Sequence, residues 1–206
     1  MFMCCLSFNN HCFALQYGSI DRSNSLNYSK VNTTELLKTA DEYFNNALKE
    51  GNLDKRHYYL ENAEYNYLKV TQTSKENIYP IIQLARVYDF EGKDKFSVRA
   101  FNSALNINPN DKLSNYYFGD FYYYRSEYGK ALRYYQPAFK NGLEENHNNS
   151  KKMAIIYEKL GDLQKANIYY KKTFLKNMND GTVADKIREI ENTKYNDSDY
   201  YNRKLK

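Results

Sequence analysis

Residues 78–111 read IYPIIQLARVYDFEGKDKFSVRAFNSALNINPND. Ile81, Leu84, Ala85 and Tyr88 fall three and four apart, as one face of a helix requires. Gly92 breaks the pattern, Ser97, Phe101 and Ala104 resume it, and Pro109 closes the unit. The next stretch, 112–145, repeats this in register, with Phe118, Gly119 and Tyr122 before the break and Ala131, Tyr135 and Ala138 after it. Leu143 stands where the closing proline would be. Ala63, Ser97 and Ala131 are each 34 residues apart, as are Tyr67, Phe101 and Tyr135, and Val70, Ala104 and Ala138. Recurrence at this period predicts stacked helical hairpins, each too small to bury its apolar face alone.

The pattern extends both ways. A third copy over 146–180 carries Met153, Ala154 and Tyr157, then Gly161-Asp162, then Ala166, Tyr170 and Thr173, offset by one residue. The small residues Ala85, Gly119 and Ala154 are expected to face Ser97, Ala131 and Ala166, where close helix approach leaves no room for a long side chain. Upstream, Asn32 and Glu35 have capping-box spacing, and Leu36, Ala40, Tyr43, Phe44 and Ala47 share a helical face that ends at Gly51-Asn52. A second helix with Leu60, Ala63, Tyr67 and Val70 keeps the phase. Ala40 and Tyr43 precede Ala85 and Tyr88 by 45 residues rather than 34, which makes 32–77 a degenerate first repeat with lengthened helices. At 181–206, Thr182 is expected to cap a last helix whose stripe is Val183, Ala184, Ile187 and Ile190, with a polar tail fraying from Asn192.

A large residue, a Leu, a small residue and a Tyr, in that order along the first helix of a unit, resemble the tetratricopeptide repeat. The resemblance implies an all-α fold, a right-handed superhelix of stacked antiparallel helix pairs, here with a C-terminal capping helix. It also implies that first helices line a concave groove. Carried over by the matching motifs, the groove residues are Tyr79, Ile82, Arg86 and Phe90, then Leu113, Tyr116, Asp120, Tyr123 and Tyr124, then Asn148, Lys151, Ile155 and Lys159. Family members that grip a C-terminal carboxylate use inward Lys, Arg and Asn side chains. The matching places here hold Ile82, Arg86, Tyr117, Asn148 and Lys152, so that clamp is partial and tail binding of that kind is not expected.

Composition narrows the function classes. The 206 residues suit one domain with tails. Lys and Arg outnumber Asp and Glu by 30 to 25 with signs interspersed, which is less one-sided than a nucleic-acid footprint. Cys4, Cys5 and Cys12 are the only cysteines, so nothing after Phe13 can form a disulfide or thiolate metal site. His11, His57 and His147 lack metal-ligand spacing, and there is no glycine-rich phosphate loop. No enzymatic activity, cofactor or metal is expected. Sequons at Asn32, Asn148 and Asn196 are expected by chance in so Asn-rich a chain. The opening through Ala14 reads either as a truncated export leader lacking its positive n-region, or as a cytosolic extension, and 15–31 as a flexible spacer. The first reading places the protein in a bacterial envelope or periplasm, the second in the cytoplasm. No later stretch approaches a membrane span.

The leading expectation is a non-catalytic adaptor. It binds an extended or helical segment of another protein in a Tyr-lined groove, with selectivity from Arg86, Asp120 and Lys151. Two alternatives stand beside it: self-association through end faces, which a charge on the Ile187 face would disrupt, and single-stranded nucleic-acid binding by stacking on Tyr. The groove tyrosines are open to a second reading, packing against adjacent helices, with Arg86 pairing with Asp120. Oligomeric state and partner identity stay open.

Overall fold

The computed structural model describes residues 32–204, with side chains for 32–193. The expected leader and spacer, with Cys4, Cys5 and Cys12, lie outside the described residues, as do the side chains of the polar tail.

The described chain is all-helical: α1 (Thr33–Lys49), α2 (Leu53–Thr73), α3 (Ile78–Phe90), α4 (Asp94–Ile107), α5 (Lys112–Tyr124), α6 (Tyr128–Lys140), α7 (His147–Lys159), α8 (Leu163–Lys176) and α9 (Gly181–Lys204). Consecutive helices pair as α1/α2, α3/α4, α5/α6 and α7/α8, the pairs stack, and α9 docks on α8. Short polar side chains start the first helices. Asn77 accepts from the Tyr79 amide at 3.2 Å, Asp111 from that of Ser114 at 2.7 Å and Asn146 from that of Asn149 at 2.9 Å. Each of the turns α3–α4, α5–α6 and α7–α8 passes through one left-handed residue, Gly92 (φ 70°), Ser126 (φ 59°) and Gly161 (φ 81°), in equivalent positions.

Packing follows the repeat. Tyr67, Phe101, Tyr135 and Tyr170, at corresponding places on the second helices, are all essentially buried, as are Ala63, Ala104, Ala131, Ala138 and Ala166. Fully burying each of these rings is worth about 1.5–3 kcal/mol. Between the second and third pairs, the Phe118 ring stacks on Phe101 at 4.9 Å and lies 4.2 Å from Tyr134. Ser97 confirms the close approach expected of it, donating from Oγ to the Ala85 carbonyl at 2.9 Å. At Gly119 a Cβ would lie 3.0 Å from the Tyr135 ring. The glycine makes room for that tyrosine.

Two expectations change at the C-terminal end. Asp180 accepts from the Val183 amide at 3.3 Å and from the Thr182 hydroxyl, so it, rather than Thr182, supplies the helix-starting acceptor. The α9 backbone also continues past Asn192 to Lys204 instead of fraying there. Val183 and Ile190 are buried, and the half-buried Ile187 packs into the same cluster, so that face of α9 is turned toward α8.

Candidate functional site

Three of the four first helices contribute an acid to a similar arrangement, on α7 one turn beyond Ile155, which holds the place equivalent to Asp120. On α1, Asp41 accepts from the Tyr67 hydroxyl of its own pair at 2.6 Å and from the Tyr79 hydroxyl of the next first helix, α3, at 3.0 Å. On α5, Asp120 accepts from Tyr135 of α6 and from the Lys152 ammonium of α7. On α7, Glu158 accepts from Tyr170 of α8 and from Lys186 of α9 at 2.9 Å. Each carboxylate thus ties its own hairpin together and binds the next one. The α3/α4 pair departs from this consistently. Arg86 stands 34 residues before Asp120, and Phe101, which has no hydroxyl to donate, stands 34 before Tyr135.

The electrostatics match the geometry. Burial, reinforced by the accepting carboxylates, raises the Tyr67, Tyr135 and Tyr170 hydroxyls well above their usual range and keeps them protonated as donors. Burial alone would lower the Lys152 pKa, but Asp120 outweighs it and the ammonium is held more firmly charged than usual. Burial likewise opposes ionisation of Glu158, yet the hydrogen bonds from Tyr170 and Lys186 win and lower its pKa.

The expected groove residues divide into three groups. Ile82 is only 3% exposed, so no partner can touch it; the residue expected in the core, Ile81, is half-buried instead. Tyr116, Asp120, Tyr123 and Tyr124 do converge, but around a side chain of this chain. The Lys152 ammonium lies 5.1, 5.9 and 5.5 Å from the ring centroids of Tyr116, Tyr123 and Tyr124, and donates to the Tyr116 hydroxyl at 3.2 Å. Arg86 does not take Asp120 as its partner. It lies over the rings of Phe44 (4.8 Å) and Tyr117 (4.2 Å) and donates to Gln83 at 2.7 Å. Lys151 is paired with Asp180 at 2.7 Å, while Leu113 and Ile155 are half-buried against the core.

A surface row remains open. Phe90 is 54% exposed and Tyr124 70%, at equivalent places on α3 and α5, and the corresponding residue of α7 is the exposed Lys159. Tyr79 is exposed at the other end of α3, and Asn148 at the start of α7. Lys152, Glu158 and Lys186 were absent from the expected groove, although Lys152 occupies a clamp position of the resembled family. The joint change of acid and tyrosine to Arg86 and Phe101 points to the Asp120–Tyr135 pair and its partner Lys152; no such signal points to Glu158 and Lys186, since Ile155 holds the place of Asp120 on α7. Among the described residues, no group of three His, Cys, Asp or Glu side chains is placed to hold a metal ion, and no helix is long and apolar enough to cross a membrane.

Comparison with solved structures identifies the architecture. YrrB, described as a tetratricopeptide-repeat protein with an unusual peptide-binding site, aligns with a TM-score of 0.54 at 20% identity over 59% of this chain. The alignment spans 62% of YrrB, about three fifths of its length. PilF of Pseudomonas aeruginosa aligns with a TM-score of 0.60 at 17% identity, covering 79% of this chain and 72% of PilF. PilW, a type IV pilus biogenesis factor, gives 0.57 at 17% identity, covering 69% and 61%. No protein-family model matches the chain, and no curated protein sequence does. The structural neighbours are tetratricopeptide-repeat proteins, and at these identities they establish a shared fold: helices packed in pairs in the tetratricopeptide manner.

Proposed function

We propose that this chain is a non-catalytic protein-binding module that holds a segment of another protein along its first helices. The observation that carries the reading is the open row of Phe90 and Tyr124, continued by Lys159 and set on a wall whose acids already have partners within the chain. Large exposed rings on a rigid support cost little entropy when they bind, and aromatic anchors dominate protein interfaces. The bracing acids Asp41, Asp120 and Glu158 serve the array. Recognition falls to Phe90, Tyr124, Tyr79 and Lys159, with Arg86, Lys151 and Ile155 at the margins.

The peptide-binding description of YrrB and the pilus role of PilW agree with this reading and make bacterial envelope assembly the first setting to examine. A photoreactive phenylalanine analogue at position 124 should crosslink a protein in the native host. Phe90→Ala with Tyr124→Ala should lower capture of that protein at least about tenfold, as loss of central aromatic anchors does, while circular dichroism stays unchanged. Full capture by the double variant would exclude the row as the site.

A further inference from the structure

At the end of the exposed row, a cavity of about 300 Å³ opens between α7 and α9, at the small end of the range of ligand pockets. Its floor is Ile155 over the buried Val183 and Tyr170, and its walls carry Lys151, Lys159, Lys186, Glu158 and Thr182. Three ammonium groups face one carboxylate within the lining. Two of the three are fixed in place: Lys151 is held by Asp180 at 2.7 Å and Lys186 by Glu158 at 2.9 Å. Lys159 forms no ion pair among the described residues and is exposed.

We propose that this cavity takes the side-chain carboxylate of an acidic residue in the bound segment, next to an apolar residue that lies on Phe90 and Tyr124. The inference rests on the groove reading above and names the chemistry of its occupant. Lysines of the same walls already hold three carboxylates, those of Asp180, Glu158 and Glu189, and all are side chains carried by helices or their caps. A further carboxylate on Lys159 extends that pattern. The apolar floor accepts the methylene stem of the acidic side chain, so ion pairing and apolar burial act together. Equivalent placement of Phe90, Tyr124 and Lys159 on successive first helices means that a segment laid along the rings arrives at this ammonium.

The test is fluorescence anisotropy with a fluorescein-labelled, carboxy-amidated short peptide bearing a phenylalanine and a glutamate one helical turn apart, its glutamine isostere, and a version with a free C-terminus in place of the glutamate. The glutamate peptide should bind about fivefold more tightly than the glutamine peptide, the size expected of one partly exposed ion pair. Lys159→Gln should erase that difference. Equal binding of the two peptides, or a difference that survives Lys159→Gln, overturns the cavity assignment and leaves the aromatic row standing. Preference for the free C-terminus alone overturns the side-chain form. Failure of all three peptides to bind, or binding unchanged by Tyr124→Ala, overturns the row and the cavity together.

Discussion

The Lys152 ammonium reaches back from α7 to the Asp120 carboxylate on α5 while Tyr135 donates to the same oxygen from α6. Both charged side chains are largely withdrawn from water, at 16% and 17% exposed, so losing one leaves the other poorly solvated. Asp120→Asn should destabilise the array by about 2–3 kcal/mol in chemical denaturation. Combined with Lys152→Met, the loss should fall short of the sum by about 1–2 kcal/mol. Strict additivity would mean the two groups do not act on each other.

Gly119 sets two effects against each other. Alanine is the better helix former by about 1 kcal/mol, but its Cβ would sit 3.0–3.1 Å from three atoms of the Tyr135 ring. Tyr135 is buried and anchored at its hydroxyl, so the ring has little freedom to retreat. Overpacking of this kind costs about 1–3 kcal/mol, and Gly119→Ala should therefore lower the melting temperature. A rise would show that the ring moves freely.

Ser126 stands where the neighbouring turns use Gly92 and Gly161, with φ at 59°. A side chain in that conformation carries a steric penalty of about 1–2 kcal/mol, partly offset by the extra freedom glycine has when unfolded. Ser126→Gly should stabilise the protein by about 0.5–1 kcal/mol, seen as a higher denaturation midpoint with an unchanged slope.

The raised hydroxyls of Tyr67, Tyr135 and Tyr170 fix the sign of the alkaline response. Unfolded tyrosine ionises near pH 10. A group whose folded pKa lies higher contributes in full below that value and loses its contribution as pH climbs through the gap. Stability should hold below about pH 9 and then fall, and tyrosinate absorbance should show a class of rings that ionises only as helicity is lost. Ionisation of all 23 tyrosines in one step with helicity intact would contradict the buried hydrogen bonds.

The phase of the array is legible from Ala63, Ser97 and Ala131 because second helices bury one clear stripe, and these small residues are fully buried where a longer side chain would overpack. First helices are harder to orient. On α3, Pro80, Ile82, Gln83, Leu84, Ala85, Val87 and Tyr88 are all buried, because that helix packs on its own partner α4, on the preceding second helix α2 and on the next first helix α5. A helix apolar nearly all round gives no preferred direction, which explains why Ile82 was expected outward and Ile81 inward. The tyrosines that gather on the first helix α5, Tyr116, Tyr123 and Tyr124, are readable from sequence. That the Lys152 ammonium lies among the Tyr116, Tyr123 and Tyr124 rings is not, since it depends on contacts between residues 28 to 36 apart on different helices.

The exchange of acid and tyrosine for Arg86 and Phe101 in one hairpin has a consequence for how the protein can be rebuilt. Duplicating 78–111 directly after residue 145 would bring a copy of Arg86 against Lys152, where Asp120 now sits, and set two cations face to face. The order of the hairpins is therefore written in their charges. A shuffled or lengthened version would assemble only with Asp120 and Tyr135 transplanted alongside the inserted segment.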